Sequence, residues 1–212
     1  MWIRPGRVAG GKIGFGLADI AALGCRQARE VGRVDGFVVD EDEFRDAEPG
    51  EFSSAVPNAF AYLQTNPRLR EWSKRGDVLV FDAEPTPASL DLAGPISLDI
   101  ALTTTGPSTD LFSKLLDVHA DGDAELVAHG RVHRDNPARR LTLSLGHAGY
   151  WLRTGHRLRL HLRSSDFPEF VLHPGTDENP WLATHGERTT QRIRLGGADG
   201  ARLVLTVASR EH

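Results

Sequence analysis

A chain of 212 residues, 40% hydrophobic and 25% charged, is long enough to bury one substantial core. Its net charge of −4 leaves no basic surplus for a phosphate backbone, so nucleic acid is not an expected partner. Cys25 is the single cysteine, which excludes an intrachain disulfide, and 22 glycines with 12 prolines favour many short elements joined by turns.

In chain order, Arg4, Arg7 and Lys12 precede an apolar run from Ile13 to Leu23 that ends in Gly24-Cys25. This has the outline of an export signal, but Asp19 places a charge inside the run. The simpler expectation is an amphipathic helix burying Leu17, Ile20, Leu23 and Val31 in a cytoplasmic protein, with secretion as the alternative. No segment is long and apolar enough to span a bilayer as a helix. Gly6 to Gly11-Lys12 matches the first part of a phosphate-binding loop, but Ile13 stands where a Ser or Thr is needed for magnesium. It reads as a flexible glycine-rich entry. Asp40 to Glu51 is an acidic run expected to be a solvated loop, and Phe60 to Trp72 is a short helix candidate. Residues 1–75 are therefore expected to form an irregular N-terminal extension or linker.

From Asp77 onward the period changes to two. Leu98, Ile100 and Leu102 alternate with polar neighbours, as do Leu141, Leu143 and Leu145, then Leu158, Leu160 and Leu162, then Leu203, Leu205 and Val207. Such alternation describes strands with one buried and one wet face, which puts Arg157, Arg159, His161 and Arg163 in solvent. Asp121-Gly122 signals a hairpin, and Gly94-Pro95 and Gly106-Pro107 bracket a strand. About eight or nine strands with almost no helix predict an all-β antiparallel sandwich over residues 76–210.

The chemistry-bearing motifs are sparse. No Gly-x-Ser-x-Gly elbow occurs, so a hydrolase serine has no strained turn to expose it. His129 and His133 lie four apart on a predicted strand, and there is no His-Glu-x-x-His. Asp117, Asp121, Asp123 and Glu125 miss the calcium-loop spacing and suit a wet hairpin. No metal and no cofactor are expected. Ser164, Ser165, Asp166 and His173 could be written as a nucleophile with its base, but residues so close in sequence rarely converge, and a strand end explains the hydroxyls and the carboxylate. Tyr150, Trp151, Phe167, Phe170 and Trp181 concentrate around one predicted strand and could cover a sugar face or a partner. The binding candidates are Ser165, Asp166, Phe167, Phe170 and Trp181.

Several ordered stretches are familiar. They are Asp77-Val78-Leu79-Val80-Phe81 with Glu84-Pro85, Leu92-Ala93-Gly94-Pro95-Ile96, and Thr109-Asp110-Leu111-Phe112-Ser113-Lys114-Leu115-Leu116-Asp117-Val118. Gly155-His156-Arg157-Leu158-Arg159-Leu160 follows, running through Ser164-Ser165-Asp166-Phe167-Pro168 to Pro174-Gly175-Thr176. Together they resemble the C-terminal domain of the CocE/NonD and X-Pro dipeptidyl-peptidase serine hydrolases. The resemblance implies a galactose-binding-like jelly roll packed against an α/β-hydrolase domain that carries a Ser-His-Asp triad. Family members cleave Xaa-Pro dipeptides or hydrolyse esters and acylated amines. Nothing in residues 1–75 matches the nucleophile elbow or the base segment, so no catalytic residue is carried over and catalysis by this chain alone is not expected.

The expected function is accordingly a non-catalytic module of a serine hydrolase, whose partner is an α/β-hydrolase domain or chain, with self-association as a further partner. The alternative is an autonomous jelly roll that binds carbohydrate or another ligand, since fold alone does not choose.

Overall fold

The computed structural model describes residues 11–16, 78–135, 140–167, 169–195 and 200–208. The expected acidic loop, the Phe60 to Trp72 helix and the helix carrying Leu17, Ile20, Leu23 and Val31 lie outside those residues. Nine strands occur among the described residues, all paired antiparallel, with no helix. They are β1 (Gly11–Gly16), β2 (Leu79–Asp82), β3 (Leu90–Thr104), β4 (Ser108–Val118), β5 (Ala124–Asp135), β6 (Arg140–Leu152), β7 (Arg157–Arg163), β8 (Gln191–Ile193) and β9 (Arg202–Val207). One sheet has the order β1-β9-β3-β6, with β8 pairing the far end of β3; the other has the order β2-β7-β4-β5.

The alternating leucines hold the sheets together. Leu98, Ile100, Leu141, Leu143, Leu203 and Leu205 from the first sheet meet Phe81, Leu111, Leu115, Leu158, Leu160 and Leu162 from the second in one buried cluster. Burying side chains of this size stabilises by about 1.5–3 kcal/mol each, so the period-two pattern is the main source of the fold. Asp121-Gly122 makes the expected hairpin between β4 and β5. Gly122 has φ of 90°, and the Asp121 carboxylate accepts from the Asp123 N–H at 3.0 Å.

Gly11 and Lys12, expected within a flexible glycine-rich entry, instead begin strand β1 against β9. Two further sequence expectations are corrected. Gly94-Pro95 does not bound a strand but lies inside β3, where the pairing with β9 shifts between Leu92 and Ser97. Gly94 takes φ of 136° at this irregularity, and the Pro95 carbonyl is bonded by the Thr206 hydroxyl at 2.8 Å. The second correction concerns the face of β7 opposite its leucines, which is not wet. His161 is 2% exposed and Arg163 7%, while Arg157 and Arg159 are half-buried. Strand β4 alongside is buried along its whole length. Alternation separates two faces, but it cannot tell water from a covering layer. Part of that layer is the segment after β7. Its Phe170 ring sits 5.2 Å from the Phe112 ring of β4, and its Asp166 bonds Lys114 of β4.

Candidate functional site

The strand end after β7 combines charge, hydroxyls and exposed rings. Asp166 is 5% exposed; its carboxylate accepts from the Lys114 ammonium at 3.0–3.2 Å and forms an ion pair with the Arg163 guanidinium. Glu169 stands 3.8 Å from the same ammonium at the edge of the group. Two buried cations thus share one buried carboxylate. Burial, aided by Arg163, pushes Lys114 down to about 7, with Glu169 opposing. Asp166 is a countercharge holding the return segment onto β4. A general base needs a free lone pair aimed at a substrate, and here both oxygens face cations.

The histidine of this segment has another partner than the sequence suggested. His173 Nε2 lies 3.1 Å from Ser108 Oγ on β4, and not on Ser164 or Ser165. Its Nδ1 accepts the Gly175 backbone N–H at 3.0 Å, which fixes the neutral ring with its proton on Nε2. Nε2 therefore donates to Ser108 and cannot take that hydroxyl's proton. Burial holds His173 below the usual imidazole value, in keeping with a neutral ring. His133, stacked on His173 at 5.7 Å, bonds Asp110 at 2.8 Å. The Ser, His and Asp side chains are adjacent, but the hydrogen-bond directions are wrong for a triad.

The other expected residues separate. Ser165 is buried, and its Oγ accepts from the Phe167 N–H at 3.3 Å, a strand-end role. Phe170 packs on Phe112 with the Arg131 guanidinium 4.3 Å above its ring. Phe167 and Trp181 project outward, 52% and 80% exposed, and Leu182 joins them at 77%. The Asn179-Pro180 turn creates this projection. The Asn179 side-chain oxygen accepts the Trp181 N–H at 2.9 Å, and its carbonyl takes the Leu182 and Ala183 N–H groups. Between this turn and the strand end is a cleft of about 300 Å³, lined by Ser164, Ser165, Phe167, His173 and His185 among others. Leu182 was missed from sequence, because a single leucine in a loop carries no periodic signal.

These features define a class: an antiparallel β-sandwich whose polar clusters are engaged in holding loops, with an apolar rim beside a shallow cleft. The chain belongs to the family of X-Pro dipeptidyl-peptidase C-terminal non-catalytic domains, which matches residues 33–204. No curated protein matches it in sequence. Among solved structures it is similar to an aminopeptidase from a marine sediment Thaumarchaeota archaeon, with TM-score 0.63 and 22% identity over 69% of this chain and 28% of that one. It is also similar to an α-amino acid ester hydrolase, with TM-score 0.60 and 21% identity over 96% of this chain and 33% of that one. A CocE/NonD family hydrolase from Staphylococcus aureus aligns at TM-score 0.48 and 13% identity, over 62% and 30% of the two chains. The chain thus spans no more than a third of the length of these solved chains.

Proposed function

We propose that this chain is the non-catalytic sandwich of an X-Pro dipeptidyl-peptidase or CocE-type serine hydrolase, and that it seats the α/β-hydrolase domain on the rim formed by Phe167, Trp181 and Leu182. In this reading residues 76–210 are the jelly-roll unit, and the extension, residues 1–75, contributes Gly11–Gly16 to its first sheet as β1. The observation that carries the proposal is the exposure of Trp181 at 80% and Leu182 at 77%, held outward by a bonded turn, in a member of a family of accessory domains. Trp181 and Leu182 are consecutive exposed apolar residues, contiguous exposed apolar surface marks a contact surface, and aromatic anchors dominate such contacts. No helix among the described residues is long and apolar enough to cross a membrane.

The test pairs the chain with an α/β-hydrolase catalytic polypeptide of the same family, supplied in trans. The chain alone should give no turnover of Xaa-Pro arylamides or activated acyl esters, and the same baseline is expected for Ser164→Ala, Ser165→Ala and Asp166→Asn. Turnover should rise when both polypeptides are present and fall again with Trp181→Ser and Leu182→Ser together. Activity of the isolated chain that disappears in one of the single variants would overturn the proposal. So would Trp181-dependent binding of an oligosaccharide, or burial of the rim in a stable dimer of the chain.

A further inference from the structure

At the end of the sandwich formed by the β4–β5 hairpin and the start of β7, four titratable side chains converge: Asp117, His119, Glu125 and His156. Asp117 of β4 is 1% exposed and points between the sheets. His156 precedes β7 and its Nδ1 lies 2.9 Å from Asp117 Oδ2. His119 follows β4, with Nε2 4.0 Å from the same oxygen and 3.7 Å from Glu125 Oε1 of β5. The ligand atoms of Asp117, His119 and His156 all lie within 4.8 Å of one another. The two imidazole ring centroids are 4.4 Å apart, with the ring planes tilted by 33°.

The balance of protons at this cluster is unusual. The Tyr150 hydroxyl lies 2.8 Å from Asp117 Oδ2 and 3.0 Å from Glu125 Oε2. A phenol carries one proton and can donate to only one carboxylate at a time. Two carboxylates therefore converge on one hydroxyl. The negative charge gathered here calls for a cation, and the neighbouring groups offer two imidazole nitrogens to help hold one.

We propose that Asp117, His119 and His156, with Glu125, form a binding site for one divalent transition metal ion of the zinc class. Two imidazole nitrogens with carboxylate oxygens are a donor set suited to zinc. Ligand atoms about 2.0–2.1 Å from a tetrahedral ion stand roughly 3.3 Å apart. The observed separations of 2.9, 3.7 and 4.0 Å lie around that value, and the ligand atoms of Asp117, His119 and His156 are all within 4.8 Å of one another, so side-chain adjustment gathers them around one ion. The ion takes the place of the proton on His156 Nδ1, and a neutral ring carries that proton on Nε2 instead. Two carboxylates neutralise the doubly charged ion, and Tyr150 donates to whichever oxygen stays free. The site clamps the β4–β5 hairpin to the turn before β7, a structural role.

The experiment uses the 212-residue chain dialysed against a chelator and then titrated with Co²⁺ and Zn²⁺. One equivalent of Co²⁺ should give the visible ligand-field bands of a tetrahedral nitrogen–oxygen site, and Zn²⁺ should bleach them. Zn²⁺ should raise the melting temperature of the wild type. His119→Gln and Glu125→Gln alter partly exposed side chains, and their fold can be checked by circular dichroism. His119→Gln should bind at least about 100-fold more weakly, and its melting temperature should no longer respond to zinc. Absence of stoichiometric binding to the wild type overturns the proposal. Binding unchanged in His119→Gln and in His156→Gln overturns it too, because the ion is then held elsewhere.

Discussion

Leu160 and Arg159 are adjacent residues on opposite faces of β7, and together they show what a side chain contributes here. Leu160 is 1% exposed within the core, so Leu160→Ala should cost about 2–5 kcal/mol. Read as a wet-face residue, Arg159 would be nearly neutral on truncation. In the structure it forms a two-pronged ion pair with Asp82 of β2 through Nε and Nη2, the latter at 2.8 Å. The pair is partly exposed, so Arg159→Ala should cost about 1 kcal/mol. Urea melts of the two variants check both values. His161, one position on, should make the fold acid-sensitive. Burial, with Arg159, Arg163 and Lys114 adding to it, pulls its value down to about 3. Between pH 6.5 and pH 3 the unfolded chain binds a proton at this ring and the folded chain does not. Stability therefore falls as the pH is lowered through that window, by at most about 1.4 kcal/mol per pH unit from this group. His161→Leu should flatten the fall in denaturant melts at successive pH values. An unchanged slope would mean that His161 titrates normally.

At the scale of elements, the segment between β7 and β8 is fastened by a few exact fits. Gln191 of β8 donates through Nε2 to Thr109 of β4 at 3.0 Å, which anchors the returning chain. Gly175 has φ of 74°, and a β-carbon there would overlap the Glu187 carbonyl oxygen. The Glu187 N–H meanwhile bonds the Pro174 carbonyl at 2.8 Å, so the two strands of the loop are pressed together. Gly175→Ala should therefore lift this loop, cost more than the roughly 1 kcal/mol of an ordinary left-handed alanine, and expose 176–188 to limited proteolysis. A digestion pattern identical to wild type would show that the loop absorbs the change. This element was the least legible in the sequence. The core strands could be read because leucines recur at period two around Leu98, Leu143, Leu160 and Leu205. The covering segment has no period, and its anchors are single residues whose partners lie far away, as Asp166 and Lys114 do. Ser164, Ser165 and Asp166 were found as a polar strand end, but Ser108 as the partner of His173 had no local signal. The rim was half visible: Phe167 and Trp181 stood out as aromatics, whereas Leu182 did not.

At the scale of the whole molecule, β1 adds to the free side of β9, with Gly11 opposite Val207 and Gly16 opposite Arg202. Strand β9 in turn pairs β3 from Ser97 to Asp99. The first sheet is therefore assembled from the two most distant parts of the described chain, with its central strand β3 between them in sequence. On the ribosome, β4, β5 and β7 can pair while synthesis continues, but β3 lacks one neighbour until β9 has emerged. Pairings of such long sequence separation form slowly, because the closure entropy comes before the contacts that offset it. A chain stopped before Arg202 should consequently leave Leu98 and Ile100 incompletely covered and bind a hydrophobic dye, while the chain carried through Val207 should not. Closure of this sheet is in that sense held back: β9 supplies the neighbour for which both β1 and β3 wait.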